Sequence, residues 1–203
     1  METEIKDSTG LLSLAQEGDA DSFCQLCRVH ESRLLRQAIA LCGDATLAED
    51  LAQDTLFEAW KCIRRYNGQC QFFTWLCAIL LNRCRNHRRK KGPIAFSLLH
   101  RGDHDQVENL LDGATDGGSS PDQLAEISEQ AALLQECIGR LPEKHRQVIY
   151  LRFYVDQSME GIAAALGCSI GTVKSRLFHA LEKLRAMNRF PERLQPFKPE
   201  PHL

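Results

Sequence analysis

Four groups of residues have the types and spacing to do chemistry. The first is a basic run, Arg83, Arg85, Arg88, Arg89, Lys90 and Lys91, which places six cations within nine positions. Asn82 and Asn86 lie among them, and the aromatic group Tyr66, Phe72, Phe73 and Trp75 precedes them. Unpaired bases stack on aromatic rings while Lys and Arg meet phosphates, so this combination suits single-stranded nucleic acid. A blander arrangement fits too: Phe73, Leu76, Ile79 and Leu80 as core, and the cations as a solvated helix end favoured by the macrodipole. The core reading has the advantage for the aromatics, and the density of cations favours nucleic acid.

The second group follows Ser169. Steps of three and four residues put Ile170, Val173, Leu177, Ala180, Leu181 and Leu184 on one helix face, and Thr172, Ser175, Arg176, His179 and Lys183 on the outward one. A shorter helix precedes it, capped by Ser158, carrying Ile162, Ala163 and Leu166 and ending at Gly167. Two such helices around a glycine turn make a helix-turn-helix, whose second helix enters the major groove of duplex DNA. There Arg and Lys read guanine edges, and Ser and Thr reach bases or phosphates.

The third group is an aromatic ring among carboxylates. On a helix from Ala45 to Ile63, a stripe from Ala48 through Leu51, Ala52, Thr55, Leu56, Ala59 and Trp60 faces inward, leaving Asp50, Gln53, Asp54, Phe57 and Lys61 outward. An outward Phe lowers solubility unless a partner covers it, although single exposed apolar residues are also ordinary. The fourth group, Cys24, Cys27 and His30, has C-x2-C-x2-H spacing, compatible with part of a zinc site or a redox switch. Cys27 and His30 also fall on the buried stripe of a helix from Asp21 to Cys42, and no second matching pair exists, so a packing role is the stronger reading. No metal or cofactor is expected.

Composition bounds what surrounds these groups. With 203 residues, 43% hydrophobic and 26% charged, the chain suits one or two small domains. Net charge is near zero, yet residues 93–121 hold one Arg against five acidic groups, bracketed by Gly92-Pro93 and Gly117-Gly118-Ser119-Ser120-Pro121. The expected organisation is all-α: a helical domain over 1–92, a flexible acidic linker over 93–121, a helical domain over 122–190 ending in the helix-turn-helix, and a Pro-rich tail over 191–203. The longest apolar run, Phe72 to Leu81, is too short to span a bilayer, and the polar start, Met1 to Thr9, lacks an export signal. A cytoplasmic protein with mostly reduced thiols is expected. No phosphate loop, nucleophile–base set or two-carboxylate site stands out, which argues against an enzyme.

Taken together, the motifs resemble bacterial sigma factors of the extracytoplasmic-function (ECF) type. Leu141-Pro142, Arg146-Gln147-Val148-Ile149, Leu151-Arg152, Ile162-Ala163, Leu166-Gly167 and Gly171-Thr172-Val173-Lys174-Ser175-Arg176-Leu177 are similar to the family's fourth region. Asp50-Leu51, Gln53-Asp54-Thr55, Phe57 and Trp60 resemble the polymerase-binding helix of its second region, and Phe73, Trp75-Leu76, Ile79, Asn82 and Arg88-Arg89 its promoter-melting helix.

The resemblance implies that Asp50, Gln53, Asp54 and Phe57 dock on core RNA polymerase. It implies that Tyr66, Phe72, Trp75, Asn82, Arg83, Arg85, Asn86, Arg88 and Arg89 take the melted downstream (minus 10) promoter element. The helix with Ser169, Thr172, Lys174, Ser175, Arg176, His179 and Lys183 would then read the upstream (minus 35) element as duplex. An anti-sigma factor is an implied partner, and the free domains are expected to close on one another, hiding both DNA surfaces. One departure stands out. Gly161 occupies a position where the family usually has Glu, so a capping box is forfeited at roughly 1 kcal/mol in helix preference. Alternatives to a sigma factor are a stand-alone helix-turn-helix regulator, which needs no docking face, and a thiol-based redox sensor, which needs paired accessible cysteines.

Overall fold

Two short Asp-led junctions set the course of the first half. In the computed structural model, which describes residues 2–91 and 133–187, α1 (Glu2–Glu17) turns at Gly18, whose φ of 110° is open to glycine, into α2 (Ala20–Cys42). The Asp19 side chain caps α2 by accepting from the Ser22 N–H at 2.9 Å, and the Ser22 hydroxyl together with that N–H holds its carboxyl below the usual range. Gly43, at φ 70°, ends α2 by donating to Ile39 O, and Asp44 immediately caps α3 (Ala45–Cys62) through the Leu47 N–H at 2.8 Å. A 3-10 turn (Ile63–Arg65) and a loop lead to α4 (Phe72–Lys91).

These helices pack because their stripes meet. Leu26, Leu34 and Leu41 of α2, Leu51 and Ala59 of α3, and Leu76, Leu80 and Leu81 of α4 are all buried in one core. Thr55 is fully buried, and its hydroxyl satisfies itself on Leu51 O at 2.6 Å. The sequence placed α2 and α3 within a residue of their observed bounds, but it did not place α1. Leu11 to Ala15 is a short apolar run beside Gly10, too weak a period to specify a helix alone. Tertiary contacts supply the rest: Ala15 is buried, and Gln16 Nε2 donates to Ile63 O at 3.3 Å and Tyr66 O at 2.6 Å.

In the second half, a helical stretch over 133–140 (α5) precedes α6 (Glu143–Ile149), a π-helical turn (Tyr150–Tyr154), α7 (Met159–Leu166) and α8 (Ile170–Ala186). Pro142 lies just before α6 rather than in its first turn, a shift within the usual uncertainty of helix ends. The π turn interrupts what the sequence reads as one helix through Arg152, and the segment leaves it at Asp156, a non-glycine at φ 52°. Val148, Leu151, Ile162, Val173, Ala180 and Leu184 form the local core. Among the described residues there is no strand. The expected linker over 93–121 and tail over 191–203 lie outside the described residues.

Gly161 has a more specific role than a missing cap partner. Ser158 Oγ still caps α7, accepting from the Gly161 N–H at 3.0 Å. A Cβ at 161 would come within 3.3 Å of that same Oγ and 3.6 Å of Gln157 Oε1. Gln157 is itself buried, its Nε2 donating to Val155 O at 2.9 Å, so the turn is packed around a residue without a side chain. Ser158→Ala should therefore cost about 1 kcal/mol. Gly161→Ala should recover up to about 1 kcal/mol in that background, and distinctly less in the wild type, where the capping hydroxyl must move. Urea midpoints of the four variants in the cycle check this.

Candidate functional site

Helix α3 places on one exposed face the four residues that the sequence expects to dock. Asp50, Gln53, Asp54 and Phe57 are all exposed, Phe57 at 59% of its surface. Lys61 attends the ring, its ammonium 4.2 Å from the centroid and 3.6 Å from Glu58. Glu58 also binds Arg83 Nη2 at 2.5 Å, an ion pair that fixes the basic end of α4 against the back of α3. The exposed face of α3 and the start of the basic run are thus linked through Glu58.

The aromatic group and the basic run separate in space. Tyr66 and Phe72 are buried and Trp75 half-buried, with ring centroids 5.2 to 5.6 Å apart in a closed trio. The Tyr66 hydroxyl donates to Cys70 O, and burial pushes its pKa up to about 12. His30 packs on Phe72 and Phe73 at 5.6 and 5.8 Å, and the Arg33 guanidinium lies 3.9 Å over Phe73. In this arrangement the trio shapes the loop that Asn67 and Gly68 turn, rather than offering open ring faces. Outward on α4 are Asn82, Arg85 and Arg89, with Arg83 and Asn86 half-buried.

Arg88 faces the other half of the chain. It lies 3.8 Å from Glu143 of α6, which also binds Arg146, and burial with the nearby Arg146 charge lowers the Arg88 pKa. Close by, Tyr150 is 1% exposed and donates its hydroxyl to Gln37 Oε1 of α2 at 2.5 Å. The halves therefore touch, as the sequence anticipates. They do not hide both of the surfaces that the sequence expects to meet DNA, since Asn82, Arg85 and Arg89 on α4 and Lys174, Ser175, His179 and Lys183 on α8 stay exposed.

On α8, Ser169 caps the helix through the Thr172 N–H at 3.2 Å, and its hydroxyl meets Thr172 Oγ1 at 2.9 Å. Lys174, Ser175, His179 and Lys183 are exposed. Arg176 is half-buried, its Nη1 directed at Cys168 Sγ, 3.8 Å away in the helix-turn-helix turn. The sequence reading passed over Phe178, which is 51% exposed beside Ser175 and Lys174. Its signal was available, because a Phe three residues after Ser175 falls on the outward face, where apolar groups contact the thymine methyl.

The cysteine cluster divides. Cys24 is exposed and Cys27 buried, so they offer no pair of accessible thiols, and none of the nine cysteines forms a disulfide. Among the described residues no group of three His, Cys, Asp or Glu could hold a metal ion.

A helix-turn-helix, an exposed basic helix end and a separate apolar–acidic face together define a DNA-binding protein that also docks on another macromolecule. Residues 26–94 match the Sigma-70 region 2 family model, and residues 137–186 match Sigma-70, region 4. The RNA polymerase sigma-H factor of Pseudomonas aeruginosa is 30% identical over 177 residues, covering 86% of this chain and 90% of that protein. The ECF RNA polymerase sigma factor SigW of Bacillus subtilis is 27% identical over 170 residues, covering 84% of this chain and 90% of SigW. A co-crystal structure of the sigma factor RpoE with the anti-sigma factor NepR from Bartonella quintana has a TM-score of 0.52 at 26% identity, covering 85% of this chain and 100% of that one. The chain belongs to the extracytoplasmic-function type of RNA polymerase sigma factors. It directs RNA polymerase to promoters, and no helix among the described residues is long and apolar enough to cross a membrane.

Burial pushes the thiols of Cys27, Cys77 and Cys84 up to about 12, so at pH 8 they remain protonated and unreactive. Titration of the native chain with Ellman's reagent at pH 8 should show Cys24 in the fast phase, and Cys24→Ser should remove that contribution. Cys27, Cys77 and Cys84 should react only on unfolding.

Proposed function

We propose a division of labour among three surfaces of this sigma factor. The exposed face of α3, Asp50, Gln53, Asp54 and Phe57, docks on core RNA polymerase. The basic end of α4, with Asn82, Arg83, Arg85, Asn86 and Arg89, receives the melted downstream element, and Tyr66, Phe72 and Trp75 shape the preceding loop. Arg88 joins this surface once its contact with Glu143 is broken. Helix α8, through Ser169, Thr172, Lys174, Ser175, Arg176, His179 and Lys183, and with Phe178 added, reads the upstream element as duplex. Residues 1–92 and 122–190 act as the two functional domains, with 93–121 as their connector and 191–203 as a tail. The protein works in the cytoplasm, catalyses no reaction of its own, and is held inactive by an anti-sigma factor, as the complex of the related RpoE with NepR suggests.

The observation that carries this reading is Phe57. A stand-alone helix-turn-helix regulator has no use for a 59% exposed ring flanked by Asp50 and Asp54 on a helix remote from α8. Phe57→Ala combined with Asp54→Ala should abolish co-purification with core polymerase while leaving helicity unchanged. Assembly of that variant at wild-type affinity would remove the docking assignment.

The two DNA surfaces should fail differently. Lys174→Ala should cost about 1 to 3 kcal/mol in upstream-element binding and relax the preference there. Asn82→Ala should leave upstream binding intact and impair opening. Permanganate reactivity of promoter thymines separates the two, and full reactivity with the Asn82 variant would contradict the single-strand role.

A further inference from the structure

Beside the outward stripe of α8 lies a histidine contact that brings His145, a residue with no role above, against His179. His145 of α6 packs against His179 of α8, ring centroids 6.4 Å apart and planes inclined by 29°. His145 is half-buried, and its Nδ1 is buried without a hydrogen-bond partner among the described residues. His179 and Lys183 are exposed, and Phe178 meets His179 edge-on at 5.5 Å.

The elements packed on α6 supply Arg176, His179 and Lys183 from α8, Arg88 from α4, and Tyr150, Arg152 and Tyr154 from the π turn. On α6 itself, Lys144 adjoins His145, and Glu143 is engaged by Arg146 and Arg88. Burial first, and then Lys183, His179 and Arg176 among these groups, hold His145 below the ordinary imidazole range. Glu143, the carboxylate on the same helix, already has two cationic partners, and no carboxylate is among the groups that act on His145, so the protein itself provides little to stabilise an imidazolium here.

A polyanion does. We propose that His145 and His179 form a proton-linked contact for the phosphodiester backbone of duplex DNA, flanking the groove that α8 enters. This rests on the reading of α8 as the duplex-binding helix. When a phosphate approaches the seam between α6 and α8, each imidazole takes up one solvent proton, and its solvent-facing N–H donates to a phosphate oxygen. The contact is sequence-independent and sets affinity and register rather than base preference.

The sign follows from linkage. In the free chain burial and the neighbouring cations hold His145 below the ordinary imidazole range, and in the complex the phosphate raises its pKa. The extra affinity is fully present below the free-state pKa and is lost as pH rises through that of the complex. Each unit of separation between the two values is worth a factor of about ten.

The test uses the intact chain and a short duplex of arbitrary sequence at fixed low ionic strength, because phosphate contacts do not depend on sequence. Fluorescence anisotropy should show Kd rising about tenfold from pH 6 to pH 8 in the wild type, against about twofold or less in His145→Gln/His179→Gln. His179→Gln alone alters an exposed residue, preserves the fold, and should remove part of the pH dependence. Calorimetry in buffers of different ionisation enthalpy should show proton uptake on wild-type binding that the double variant lacks. Duplex binding without pH dependence, or with dependence retained in the double variant, overturns the proton-linked pair and leaves α8 as the duplex reader. Absence of duplex binding at every pH overturns both.

Discussion

The Tyr150 hydroxyl bonded to Gln37 fixes the relation between the two halves of the chain. A phenol at 1% exposure needs a hydrogen-bond partner, and this one finds it on α2, across 113 residues of sequence. Its ring occupies the junction where α4 meets α6 and α7, beside Cys77, whose thiol burial holds near 12. Arg88 and Glu143 add a charged contact to the same junction. Parting the halves exposes a tyrosine ring and breaks an ion pair of low exposure. Any open form that spans two promoter elements must therefore gain enough from polymerase and DNA to offset those losses.

What the junction leaves outside matters as much as what it closes. Asp50, Gln53, Asp54 and Phe57 of α3, Asn82, Arg85 and Arg89 of α4 and Lys174, Ser175, His179 and Lys183 of α8 are all exposed in the closed arrangement, while Arg88 is engaged. Closure on its own therefore restrains the chain through geometry and one sequestered cation, not by covering the recognition surfaces. An inhibitor that silences such a protein has those surfaces available to bind. This is the physical sense in which a separate anti-sigma factor complements the proposed function.

The parts of the fold legible in the sequence are those written in short-range spacing. Ser158 and Ser169 mark the starts of α7 and α8 because N-capping uses a side chain and an N–H three residues apart, and Gly167 marks the end of α7 because the left-handed turn there suits glycine. Phe57 was legible because it breaks the polar side of an otherwise regular stripe. Contacts between distant segments were not: nothing near Gln16 announces a bond to Tyr66 O, and nothing near Tyr150 announces Gln37. The aromatics show the same limit, since type and spacing cannot tell a ring that stacks on a base from Tyr66 and Phe72 closing on each other. The His145–His179 contact joins two helices whose separate patterns give no register between them.

The central claim is that one chain carries both a polymerase-docking face and two promoter-reading surfaces. It is tested most directly by mapping transcript starts on fragmented genomic DNA, using core RNA polymerase with and without the protein. The account predicts starts that appear only with the protein and that share two sequence elements at a fixed separation, the upstream one contacted as duplex and the downstream one melted. Starts unchanged by the protein, or protein-dependent starts lacking a common pair of elements, would contradict it.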